Sequence, residues 1–295
     1  MQPQTESEAE GMVNRTKRNR AGWLFILPSL MGVMVFYLIP FADVVRRSFL
    51  QAVGGGFAGI GNYYQVLTNK AFRLAAGNTF RFVLVCLPLL LGLSLGLSLL
   101  LQNQEKCRDI LKSAYLAPMA SPAASVVLLW QLLFDNQGLL NGFLNVFHKV
   151  GKDWMNENTA FGVLVFSYIW KNLGYDVILW LAGLLGIPKS IYEAAKVDGA
   201  GAVKTFFYIT LPNIKPVAFT IVILSFLNSF KVFREAYLVA GNYPHQSIYL
   251  LQHVFNNWFA ELSMDKMAAG SVLLCIVVAA FVLLLQRSWD KSQSV

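Results

Sequence analysis

Charge is scarce in this sequence. Asp, Glu, Lys and Arg make up 14% of its 295 residues, where soluble domains carry about 25%. With 56% of the residues hydrophobic and a mean hydropathy of +0.52, the chain lacks the polar groups to cover its own surface, so lipid must cover much of it. Cysteine is scarce too. Cys86 and Cys275 lie inside apolar runs and Cys107 stands beside a basic cluster. An odd count so placed argues against a disulfide framework, and the spacing fits no zinc pattern. The histidines, His148, His245 and His253, share no metal-ligand spacing and are expected to be solvated in external loops. No G-x-x-x-x-G-K-[ST] motif occurs, so a Walker-type nucleotide site is excluded. Nothing couples a Ser, His and Asp along the chain as a triad would require. The net charge of +8 sits in short clusters between apolar runs. Membrane proteins distribute charge this way, and nucleic acid is not an expected partner.

What is present in quantity is long apolar runs. A hydrocarbon core of about 30 Å needs about 20 apolar residues in a helix. Six segments qualify, at approximately 22–42, 78–101, 114–134, 160–185, 213–238 and 267–287. The run from Val83 to Leu101 carries no charge, and neither does that from Ser271 to Leu285. The third span contains Pro118 and Pro122. The first is too long for a signal peptide and is followed by no small-residue cleavage site, so it is expected to be retained. The basic flanks orient the chain. Arg15, Lys17, Arg18 and Arg20, then Lys106, Arg108 and Lys112, then Lys189, Lys196, Lys204 and Lys215, and finally Arg287 and Lys291 fall on one side. They number thirteen, against eight spread over the longer opposite loops. Both termini are therefore expected in the cytosol. The expected organisation is a disordered cytosolic tail over 1–20, a first helix and external loop over 21–77, a transmembrane core over 78–288 with a cytosolic loop at 187–212, and a short tail over 289–295. The glycine-rich stretch from Gly54 to Tyr64 precedes no Lys-Ser/Thr and reads as a flexible loop, not a phosphate cradle.

The cytosolic loop runs IPKSIYEAAKVDGAGAVKTFFYITLPNIKP from Ile187 to Pro216. Ser190 and Glu193 have capping-box spacing, which predicts a short helix over 191–198. Gly199 and Gly201 permit a left-handed turn. A second short helix over 202–209 is expected to stop at Leu211-Pro212. Tyr192, Val197, Val203, Phe206 and Phe207 supply more apolar surface than a solvated loop needs, which marks either a docking knob or a tightly folded connector.

The order Glu193-Ala194-Ala195-Lys196-Val197-Asp198-Gly199-Ala200, then Ile209-Thr210-Leu211-Pro212, resembles the signature of inner-membrane subunits of binding-protein-dependent ABC importers. Asn78-Thr79, Gly92, Gly96, Leu116-Ala117-Pro118 through Trp130, Gly138-Leu139-Leu140-Asn141 and Trp170-Lys171 extend the likeness over roughly residues 22–287. Phe57 to Tyr63 resembles the first external loop of the carbohydrate (maltose and multiple-sugar) branch. After the fifth span that branch often carries Gly-Gly-Pro, whereas this chain has Ala240-Gly241-Asn242-Tyr243-Pro244-His245. The resemblance implies an all-α permease of six transmembrane helices with the type I importer architecture. Its implied partners are a second homologous permease subunit, a cytosolic ABC ATPase dimer, an extracytoplasmic solute-binding protein and membrane lipid. ATP and Mg would bind the ATPase, and no cofactor this chain. Glu193 would contact the ATPase, Ala194, Ala195 and Ala200 would permit close approach, Asp198 would hold the turn, and Gly199 would give it backbone freedom, with Leu211 and Pro212 closing the motif.

Ionisable residues inside a span are costly and mark either a solute path or a structural pair. Lys171, Tyr175 and Asp176 fall in the fourth span, and Asn228, Lys231 and Glu235 share one face of the fifth. In the structural reading Lys231 pairs with Glu235 and Lys171 bonds a neighbouring carbonyl. Trp170, Tyr175 and Phe230 either stack on a sugar ring or pack. The function that results is translocation of a sugar or oligosaccharide, without enzymatic activity. The alternative is an ion-coupled secondary transporter, which inverted repeats would favour, and none is visible.

Overall fold

A computed structural model describes residues 25–102 and 108–293. The expected acidic tail, the basic cluster from Arg15 to Arg20, the opening residues of the first span, Lys106 and Cys107 lie outside the described residues. Everything described is helix, turn or loop, apart from one isolated bridge between Leu50 and Phe57. Among the described residues four helices are long and apolar enough to cross a bilayer alone: α1 (Phe25–Arg47), α3 (Lys70–Leu101), α9 (Ala202–Ala240) and α11, whose candidate span is Met264–Lys291 and which ends at Gln293. Two bent pairs bring the number to six. One joins α4 (Arg108–Ala120) to α5 (Ala123–Phe134) and α6 (Leu139–Val146). The other joins α7 (Thr159–Leu185) to α8 (Lys189–Val197).

Proline explains the irregularities. Pro122 has no N–H and drives Ser121 out of the helical region, so the third span breaks there and bends by 95°. The freed carbonyls are taken up locally. Ser121 Oγ donates to Ala117 O at 3.0 Å, and Ser121 N donates to Pro118 O at 3.3 Å. Pro40 and Pro212 are handled differently, and alike. Each follows a five-residue π turn, Met34–Leu38 or Phe206–Thr210, after which Ile39 or Leu211 donates back five residues, to Met34 O or Phe206 O. The wider turn relieves the clash between the proline ring and the carbonyl four residues earlier. Leu211-Pro212 therefore does not stop the helix: the short helix expected over 202–209 is the opening of α9, continuous with the fifth span.

The chain divides into two compact units, one of residues 1–66 with 262–275 and the other of 67–261 with 276–295. In the first, the glycine-rich stretch is a turn only as far as Ile60, where Gly54, Gly55 and Gly59 hold positive φ. From Gly61 it forms α2 (Gly61–Thr68). Buried Asn62 fastens that helix, its Nδ2 donating to Ser48 O at 3.0 Å and Leu50 O at 2.8 Å.

In the second unit α7 is the central element, packed against α3, α4 and α9. Cys86 and Leu90 from α3, Leu164 and Tyr168 from α7 and Val232 and Ala236 from α9 form its core. Close crossing with α4 depends on Gly174, where an added Cβ would stand 1.8 Å from Tyr115 O. Asn78 and Thr79 do not open the second span, since α3 begins eight residues earlier at Lys70. They fasten the segment after α9 instead. Asn78 Nδ2 donates to Gln246 O (2.6 Å) and Tyr249 O (3.0 Å), and Thr79 Oγ1 accepts from Leu251 N (3.0 Å) at the start of α10 (Leu251–Ala260).

His253, expected in solvent, is fully buried. Its Nδ1 accepts the Leu250 N–H at 3.1 Å, so the proton resides on Nε2, and the ring stands edge-on to Phe233 at 4.8 Å. His245 is half-buried and caps the 3-10 turn Gln246–Ile248, whereas His148 is exposed. Burial pushes the His253 imidazole down from 6.5 to about 4, so between those values the unfolded chain binds a proton that the folded chain does not. Stability therefore falls as pH drops from about 6.5 to about 4. Thermal unfolding of detergent-solubilised protein across that window is expected to show a decline that His253→Gln, which does not titrate, makes shallower.

Candidate functional site

The sequence-selected residues fall into two places. In one place α4, α7 and α9 border an open cavity of about 180 Å³ lined by Met119, Ser167, Tyr168, Lys171, Asn172, Asn228, Lys231, Val232 and Glu235. The expected stripe of Asn228, Lys231 and Glu235 does share one wall. Its internal pairing is other than expected. Glu235 accepts from Lys171 Nζ across the cavity, joining α9 to α7, and Lys231 Nζ donates to Asn228 Oδ1 at 2.7 Å. Lys231 sits in a 3-10 turn, Phe230–Val232, just before the α-helical stretch that carries Glu235. The turn's tighter winding takes residues four apart off one line, leaving Glu235 to meet α7. Lys171 accordingly meets a carboxylate, not a backbone carbonyl.

Asp176 and Tyr175 do not line the cavity. Asp176 is 1% exposed and accepts from Ser225 Oγ at 2.7 Å, which makes it a polar clasp between α7 and α9. Tyr168 supports the same joint, its hydroxyl donating to Ser225 O at 3.1 Å. Trp170 packs edge-on against Trp130, and Phe230 against Phe226. Sequence reasoning passed over Ser167, Tyr168 and Asn172. The signal for Ser167 and Tyr168 is their place four and three residues before Lys171, on the same face of a helix, whereas Asn172, next to Lys171 and about 100° round the helix, carries no such signal.

The second place is the segment after α7. Gly186 closes α7, its N–H reaching Ala182 O, and α8 departs at 68°. Pro188, extended at ψ 131°, stands at the N-cap of α8, and no side-chain cap bond forms. The predicted capping box of Ser190 and Glu193 is therefore not built. With the helix starting two residues earlier, at Lys189, Ser190 lies inside its first turn, too late to cap it, and the Glu193 side chain is exposed. The end of α8 follows expectation in detail. Ala200 N donates to Ala195 O (2.9 Å) and Gly199 N to Lys196 O (3.1 Å), the two bonds of a Schellman motif. Gly199 occupies its left-handed position at φ 73°. Asp198 is the exposed C-cap, while Gly201, at φ −71°, is extended and starts α9.

The faces of this segment divide cleanly. Tyr192 packs against a core of Trp180, Leu184, Ile187, Ile214 and Ile221, and its hydroxyl lies 3.2 Å from Thr210 Oγ1. Ala195 is buried within the chain and Ala200 half-buried, whereas Ala194 is exposed. On the outer side Val197 is 87%, Val203 70%, Phe207 57% and Tyr208 80% exposed. Leu211 is half-buried and Pro212 exposed where the π turn meets the rest of α9.

Comparison with known proteins agrees with this anatomy. Residues 89–292 match the family model of the binding-protein-dependent transport system inner membrane component. The arabinooligosaccharides transport system permease protein AraP of Bacillus subtilis is 32% identical over 88% of this chain and 86% of its own length. The trehalose/maltose transport system permease protein MalF of Thermococcus litoralis is 32% identical over 89% of this chain and 91% of its own. A chain from the crystal structure of a bacterial ABC transporter involved in import of the acidic polysaccharide alginate shares the fold. It superposes with a TM-score of 0.81 at 18% identity over 95% of this chain and 98% of that one. The chain belongs to the binding-protein-dependent transport system inner membrane components, the membrane-spanning permeases of ABC importers.

Proposed function

We propose that this permease carries a sugar or oligosaccharide through the cavity between α4, α7 and α9, driven by a separate cytosolic ABC ATPase dimer that docks on α8 and the start of α9. The observation that carries the reading is the segment 189–208. A helix angled at 68° is packed on the bundle by Tyr192 and Ala195 and presents Val197 outward, and the start of α9 adds Val203, Phe207 and Tyr208. A rigid apolar knob of this kind fits a protein groove. The sequence has no phosphate cradle of its own, so ATP and Mg belong to the docked partner. Six crossings would carry both termini to the side of this knob, and the basic flanks support a cytosolic placement. The sugar assignment is supported by relatives named for arabinooligosaccharides and for trehalose and maltose. A second homologous permease subunit would complete the path beside this cavity, which α4, α7 and α9 border from one side. Transport is then a rigid-body switch biased by ATP on one side and the loaded binding protein on the other.

The test is the complete system in proteoliposomes. Val197→Asp with Phe207→Asp alters exposed positions only, so the permease should still fold. The charges should oppose docking, so that the ATPase no longer co-purifies and uptake falls at least tenfold. Unchanged uptake would sink the docking assignment. Gly199→Val, strained at its positive φ, should lower uptake similarly by disordering the end of α8.

A further inference from the structure

The wall of the cavity is electrically unbalanced. Among the described residues its lining holds two ammonium groups, Lys171 and Lys231, and one carboxylate, Glu235. Glu235 is engaged by Lys171. Lys231 has only the neutral amide oxygen of Asn228, at 2.7 Å. The next carboxylate along α7, Asp176, lies outside the lining and is bonded to Ser225. Arg234, beside Glu235, is exposed and adds positive charge to that part of α9. The Lys231 ammonium, exposed where it borders the cavity, thus has no carboxylate partner among the described residues. Such residues face an interior path because burial in lipid is costly, and an anionic group on a passing solute would satisfy it.

The rest of the lining suits a sugar body. Ser167, Asn172 and Asn228 carry hydrogen-bonding groups, while Met119 and Val232 offer apolar surface to a ring face. An engineered cavity of about 150 Å³ accepts benzene, so about 180 Å³ has room for one six-membered ring at a time. We propose that the solute this cavity accommodates is a sugar bearing an oxyanion, a uronate carboxylate or a phosphate ester, and that Lys231 receives the oxyanion. A lysine ammonium is a point charge with rotatable donors and has no planar fork, so it serves either oxyanion. The assignment rests on the reading of this cavity as the solute path.

The experiment is a ligand-observed NMR titration of the assembled permease–ATPase complex in nanodiscs, without binding protein, using glucuronate, glucose 6-phosphate, glucose and inorganic phosphate. At least one sugar acid should bind about tenfold or more tightly than glucose, the size of one charge-assisted hydrogen bond. Lys231→Gln should bring it to the level of glucose, and Lys231→Arg should keep most of the difference. Equal binding of glucose and both sugar acids, or a preference unmoved by Lys231→Gln, overturns the proposal. Inorganic phosphate binding as tightly as glucose 6-phosphate overturns it also, by showing a bare anion site. Met119→Trp, which narrows the cavity, separates this failure from that of the path itself, with Asn228→Trp on the opposite wall replacing it should the complex not assemble. Uptake blocked by the tryptophan without any acid preference leaves the path standing and removes the charge assignment. Uptake unaffected by the tryptophan removes both.

Discussion

A Gly174→Val chain is expected to reach the membrane in a small fraction of the wild-type amount and to fail to assemble with its ATPase. The reason is local. An added Cβ at residue 174 would stand 1.8 Å from the carbonyl oxygen of Tyr115 and 2.4 Å from its carbon. These are backbone atoms of α4, so no side-chain rotation relieves the overlap and the two helices must separate. Van der Waals contact drives helix association in lipid, and overpacking in a well-packed core costs about 1–3 kcal/mol even where neighbours adjust. A backbone clash at the centre of α7 should exceed that range, because Met119 on α4 and Lys171 on α7 both border the cavity, so the two walls would part together. Gly162→Ala is the control. It lies on the same helix with nothing within 4 Å of the added carbon, and it should leave yield and unfolding temperature unchanged. Yield by immunoblot and thermal unfolding in detergent measure both variants. Normal assembly of Gly174→Val would mean that α4 and α7 do not cross this closely.

The crossing was not legible in the sequence, although the helices were. Val83 to Leu101 and Ser271 to Leu285 could be read because length and freedom from charge suffice to place a helix in lipid. The Schellman ending of α8 could be read because the steric demand of a left-handed position selects glycine at residue 199. The capping box failed although its residues are present. Capping needs a start point as well as a spacing, and Pro188, already extended, supplies one two residues earlier. Leu211-Pro212 looked like a helix stop, because a π turn that accommodates a proline leaves no mark in the sequence. The same device recurs at Pro40. His253 was misplaced for a related reason. A segment between spans reads as solvated, yet Thr79 and Asn78, some 170 residues earlier, supply the hydrogen bonds that let this one pack down.

The cavity lies between these extremes. The shared face of Asn228, Lys231 and Glu235 follows from helical periodicity, so its members were identifiable. Their partners were not, since a cross-helix pairing depends on which helices meet and at what rotation. Asp176 illustrates the limit. Only five residues from Lys171 on the same helix, it is turned to Ser225 and holds α7 to α9, a structural duty that composition alone cannot separate from a place on the path.

Removing one half of the Lys171–Glu235 pair should cost more than removing both. Glu235→Ala leaves the Lys171 ammonium at membrane depth without its counter-charge, whereas Lys171→Met with Glu235→Ala leaves no charge behind. Breaking a buried pair typically costs about 3–5 kcal/mol. Here the side chains keep 20% and 11% exposure and border a cavity, so about 2–3 kcal/mol is expected for Glu235→Ala. The double variant should recover most of it, because well-packed apolar replacements of ion pairs are often neutral or stabilising. Unfolding temperatures of the two single variants and the double one, in the same detergent, give the coupling directly. Uptake then separates stability from function. If the pair is only a brace, the double variant should transport as it folds. If it is part of the solute path, the double variant should be stable and still slow, because a polar wall between α7 and α9 has been made apolar. Additive losses across the cycle would show that the two side chains do not interact across the cavity.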